Sequence, residues 1–181
     1  MITEDEYRTI VIDIDQELSK HTHKRYVDHT DMDHRRISCS PDKLNSRPFN
    51  IFHTRDVRLK EKAGELVILY NLMPIINIYD FDSCAERLII LLHEFGHYKS
   101  LMNGDGIRMC KSGYIHNHNY ELKQSYWVCF YEEFLAWKYA FQKLFTLKVS
   151  SKGKIAMKMF SIGLKYLYQY ASGFLKMYLK K

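Results

Sequence analysis

Cysteine is scarce in this chain, and what there is has the wrong spacing for a metal knuckle. Cys39, Cys84, Cys110 and Cys129 are scattered through 181 residues with no Cys-x-x-Cys pair. That pattern argues against a cysteine zinc site and against a disulfide framework. It fits free thiols in a reducing compartment, so a cytoplasmic location is expected. Proline and glycine are also few, at three and eight. No Pro/Gly/Ser-rich linker divides the chain and no internal repeat is visible, so one domain over residues 1–181 is expected. Long charge-free apolar runs are missing, which leaves no candidate membrane span. The opening Met1-Ile2-Thr3-Glu4-Asp5-Glu6 is acidic and does not read as a signal peptide. Acidic residues are missing from Phe134 to Lys181, where ten lysines occur. The other 133 residues carry 17 basic and 21 acidic groups, a net of −4, so the +6 of the whole chain belongs to its last quarter.

What the chain does have is His93-Glu94-Phe95-Gly96-His97, inside the apolar run Arg87 to Tyr98. Ser83-Cys84-Ala85-Glu86 ahead of it reads as a capping box. Ala85, Leu88, Ile89, Leu92 and Gly96 recur at helical spacing, and Asn103-Gly104 supplies a stop. The motif therefore falls on a helix of about five turns. Residues four apart share a helix face, so His93 and His97 can grip one metal ion, with Glu94 beside them near a water on that ion. Two imidazoles and a carboxylate so arranged are a zinc-hydrolase pattern, with Zn²⁺ as the expected cofactor and Glu94 as the candidate general base.

Around this helix the expected architecture is α+β. Thr3 to about Lys20 reads as a helix opened by the capping box Thr3-x-x-Glu6, with Tyr7, Ile10, Val11, Ile14 and Leu18 on its apolar face. Asp13, Asp15 and Glu17 are expected to form its solvated flank. Residues 21–47 are polar and irregular and read as a loop, with His29 and His34 as candidate substrate contacts. Phe49–His53, Glu65–Asn71 and Ile75–Tyr79 read as strands of a small antiparallel sheet ahead of the motif helix, although 59–70 also fits a helical period. Such a sheet could pair an extended peptide along its edge.

Residues 104–119 read as a loop carrying Tyr114, His116 and His118. Its His-Asn-His lacks the context of a nuclease motif. A donor to a developing oxyanion could come from Tyr98, Tyr114, His116, His118 or Tyr126. Residues 120–148 read as a second long helix, with Tyr126, Phe130, Phe134, Trp137, Phe141 and Phe145 as its apolar stripe. Glu133 lies within that stripe. A carboxylate there needs a partner, either a metal or a buried Lys or Arg. Glu132 is rotated about a third of a turn away and is the alternative. Residues 154–181 read as a third helix. Lys154, Lys158, Lys165, Lys176 and Lys180 lie on one stripe of it, and nearly everything else is apolar or aromatic. Deep packing with only the lysines in water is the expectation. A partner groove, a dimer contact or an anionic membrane surface for 154–180 are the alternatives.

A catalytic zinc usually takes a third protein ligand. The metzincin continuation is absent, since Ser100 and Asn103 stand at its places, and the cysteine ribbon common in SprT-like proteins is missing too. Glu133, Ala136, Trp137, Tyr139 and Ala140 follow the His-Glu-Phe-Gly-His motif by some tens of residues. In this the chain resembles the ImmA/IrrE-type gluzincins of phages and mobile elements, whose second motif is Glu-x-x-Ala-Asn-x-Phe-Ala. Trp137 stands where that family has Asn, which marks a side branch. The resemblance covers about residues 64–145. It implies a zincin-like domain, Glu133 as third ligand, and hydrolysis of a peptide bond in a protein or peptide substrate, often a regulatory protein. Because the basic charge lies away from the motif, no nucleic acid is required at the active site. The helix-turn-helix domain that some members carry is not seen here. A non-catalytic reading stands beside it: zinc holding helices together while the basic C-terminal helix engages nucleic acid, a partner or a membrane.

Overall fold

The structure is a computed structural model that describes residues 2–22, 50–56, 59–60, 63–68, 74–103 and 126–179. The expected loops at 21–47 and 104–119 lie almost wholly outside the described residues. His29, His34, Tyr114, His116 and His118 are among those not described.

The expected α+β class is borne out, with four helices and a three-stranded sheet among the described residues: α1 (Glu4–Thr22), β1 (Ile51–Thr54), β2 (Gly64–Ile68), β3 (Pro74–Tyr79), α2 (Cys84–Met102), α3 (Tyr126–Thr146) and α4 (Lys152–Leu179). The first capping box forms in full, and the second contributes its N-cap. Thr3 N donates to Glu6 at 2.8 Å while Glu6 N donates back to the Thr3 hydroxyl, and Ser83 caps α2 by accepting from Glu86 N.

The sheet is mixed rather than wholly antiparallel. Its order is β1-β3-β2, with β3 parallel to β1 and antiparallel to β2. The short link between β2 and β3 can only make an antiparallel pair. The chain from β1 must travel past the sheet before β3 settles between the two edges. Over 64–68 the chain is strand and not helix. Just ahead of it Ala63 has a left-handed φ of 66°, and at Gly64 a Cβ would collide with Ile90 and crowd Glu94.

Helix α2 is the central element, touching β2, β3, α1, α3 and α4. Leu88, Ile89, Leu91, Leu92, Phe95 and Tyr98 are buried on it, and they join Ile76 and Ile78 of β3 with Tyr7, Ile14 and Leu18 of α1 in one core. On the acidic flank of α1, Asp13 is exposed as expected, whereas Asp15 and Glu17 are drawn out of water. Asp15 is buried and accepts from Asn50 N at 2.7 Å, fixing the entry to β1. Lys143 of α3 bonds Asp13 and Glu17 at 2.8 and 2.9 Å, and Lys99 of α2 bonds Glu17 at 3.1 Å. Burial alone would raise the Glu17 pKa, but these two lysines outweigh it and hold the carboxyl below its ordinary value.

Two further expectations are corrected. The core face of α3 is Leu135, Ala136, Trp137, Ala140 and Leu144, whereas Phe134 and Phe145 of the aromatic stripe are exposed. The reason is spacing: α3 lies so close to Gly96 of α2 that only small side chains fit between them. Nor is α4 deeply packed. Ile155, Met159 and Gly163 are buried, but Met157, Phe160, Leu164, Tyr168 and Leu175 are exposed along with the lysines. Among the described residues, no helix is long and apolar enough to cross a membrane.

Candidate metal centre

Three side chains from two helices converge. His93 and His97, one turn apart on α2, bring their Nε2 atoms to 3.2 Å. Glu133 of α3 closes the triangle, with Oε2 at 3.3 Å from His93 Nε2 and Oε1 at 3.6 Å from His97 Nε2. A tetrahedral ion with ligand bonds of about 2.0–2.2 Å sets its ligands about 3.3–3.6 Å apart. The observed edges fit that figure, so this donor set can hold a metal ion. Among the described residues it is the one group of three such side chains that comes together.

The cause of the convergence is local. Gly96 lies between the two histidines, and a Cβ there would overlap the backbone carbonyl of Ala136. The missing side chain lets the helices approach, and Glu133, one turn before Ala136, then meets the imidazoles. Trp137 completes the setting. Its ring lies on that of His93, centroids 4.4 Å apart and tilted by 32°. Gly163 of α4 gives the indole room on its other side.

Burial governs the protonation states. It would lower the His93 pKa, but the hydrogen bond to Glu133 and the charges of Glu94 and Glu133 raise it. It would raise Glu133, and the two imidazoles reverse that and lower it. His97, dried out and next to His93, drops to about 4. Without metal, His97 is neutral near pH 7, and the opposite shifts of His93 and Glu133 favour an imidazolium–carboxylate contact between them. A divalent cation would displace the proton of that imidazolium. Both Nδ1 atoms and Trp137 Nε1 are buried with no partner among the described residues.

Glu94 is buried on α2 beside this triangle, and desolvation pushes its pKa up to about 7. It accepts a hydrogen bond from the backbone of Leu66 in β2. The phase of that strand explains the contact. Tyr79 N bonds Ala63 O at 2.9 Å, so residues 63, 65 and 67 turn their backbone toward β3. Gly64, Leu66 and Ile68 then turn theirs to the free edge, toward the motif helix.

The remaining candidates separate. Tyr98 is buried in the core beside Phe95, its pKa raised to about 12 by burial and by Glu17 of α1, so it is directed away from the triangle. Tyr126 opens α3, and of it only the backbone is described. Glu132 is buried but does not join the group. Sequence reasoning missed the Leu66 backbone contact and the Trp137 stack. The small residues Gly96, Ala136 and Ala140 were the available sign that the two helices would touch. The chain matches no known family model, no curated protein and no solved structure.

Proposed function

We propose that the protein is a zinc-dependent peptide hydrolase of gluzincin type, the activity that the ImmA/IrrE resemblance implies. The observation that carries this reading is the His93–His97–Glu133 triangle with a buried, proton-accepting Glu94 at its side. A zinc ion bound there supplies Lewis acidity and lowers the pKa of a water toward neutrality. Glu94, buried beside the ligands, would take a proton from the attacking water and return it to the leaving amine nitrogen. The Leu66 N–H keeps the Glu94 carboxylate aimed. Among the described residues β2 is an edge strand, and the backbone of Gly64 and Ile68 with the Leu66 carbonyl is suited to hold an extended peptide by hydrogen bonds. A purely structural site has no need of Glu94, which weighs against the non-catalytic reading.

The test is a peptide-library digest with the full chain. Cleavage is expected with zinc present, abolished by a chelator and restored by adding zinc back. Cleavage that survives chelation and the loss of His97 would mean that hydrolysis lies elsewhere.

A further inference from the structure

Helix α4 presents three stripes. At 100° per residue, Met157, Phe160, Leu164, Tyr168 and Leu175 fall within a sector of about 80°. Their exposures are 71%, 54%, 51%, 74% and 56%. The buried residues Ile155, Met159 and Gly163 face about 140° away, toward α3. Lys154, Lys165 and Lys176, all exposed, border the apolar stripe on its other side, and Lys158 among them pairs with Glu86 of α2 at 2.8 Å. Single exposed apolar side chains are ordinary, but five in register along about 27 Å of one helix form a continuous patch.

We propose that this face of α4 docks on an anionic lipid surface. Charge complementarity selects that occupant. The last quarter of the chain carries ten lysines and no acidic residue, so nothing in it is repelled by anionic headgroups. A second copy of the chain would set one lysine stripe against another with no carboxylate from this region between them. An acidic partner helix would usually be read by charges of both signs that fix its register, and this face has one sign only. A bilayer asks for no register. Phe160, Leu164 and Met157 enter the acyl boundary, Tyr168 suits the headgroup level, and the lysines extend to the phosphates. The inner face of α4 stays on the domain at Ile155, Met159 and Gly163 while the outer stripe meets the lipid. The proposal is independent of the metal site.

The experiment is flotation of the full chain with vesicles of phosphatidylcholine alone, or with about 30% phosphatidylserine. Binding to the anionic vesicles should exceed binding to the neutral ones by at least about tenfold. Phe160→Asp with Leu164→Asp should abolish it, and Lys154→Glu with Lys165→Glu and Lys176→Glu should lower it by at least about tenfold. Both variants change exposed positions only, and their circular dichroism should match that of the wild type. Equal binding to the two vesicle types would overturn the proposal, as would no binding to either. So would a dimer in solution that Leu164→Asp dissociates, or capture of an acidic helical peptide by a chain that ignores vesicles.

Discussion

Replacing Glu94 with Gln abolishes peptide cleavage, by about 10²- to 10⁴-fold or more, and leaves one metal ion bound per chain. Gln keeps the size of the side chain and still accepts the Leu66 N–H, so the His93–His97–Glu133 triangle is undisturbed. The same change stabilises the metal-free protein in a pH-dependent way. Glu94 has an ordinary pKa of 4.5 unfolded and about 7 folded. Between those values the folded state binds more protons than the unfolded one, so wild-type stability falls as pH rises from about 4.5 to about 7. A shift of that size corresponds to about 3 kcal/mol. The Gln side chain does not titrate and has no such loss. Urea unfolding of the metal-free proteins should therefore favour the Glu94→Gln variant over the wild type by about 3 kcal/mol more at about pH 8 than at about pH 4. Equal pH profiles for the two proteins would show that Glu94 is not held in a dry environment. Loss of metal in the variant would make Glu94 structural.

Gly96→Ala is the second large effect. The added methyl would overlap the Ala136 carbonyl, which is backbone and cannot rotate aside. Helices α2 and α3 must part, at a cost of about 3 kcal/mol. Because the metal ligands span that same interface, zinc affinity should fall by about 10- to 100-fold, as it does when ligand orientation is disturbed. Gly153→Ala is the control. Nothing lies within 4 Å of a Cβ there, so the change should be neutral or slightly stabilising. Isothermal titration and urea unfolding measure both quantities. Unchanged zinc affinity in Gly96→Ala would mean that close helix approach does not set the ligand geometry.

Much of this was legible in the chain because it depends on local pattern. Helix α2, its Ser83 cap and the pairing of His93 with His97 follow from spacing within one element. Glu133 was legible because a carboxylate amid bulky apolar residues needs a partner. What escaped depends on contacts between elements. Periodicity put Phe134 and Phe145 on the core face of α3; the close approach at Gly96 puts Ala136 there instead. Asp15 looked solvated because its partner, the Asn50 N–H, lies far along the chain at the entry to β1. The exposed stripe of α4 looked like core because hydropathy does not record whether anything lies above it.

The central claim is that His93, His97 and Glu133 hold one zinc ion, and anomalous diffraction at the zinc edge tests it most directly. In crystals of the protein grown with zinc, one peak per chain is expected, about 2.0–2.3 Å from both Nε2 atoms and from a Glu133 carboxylate oxygen. A triangle without a peak, or a zinc ion held by other side chains, would contradict it.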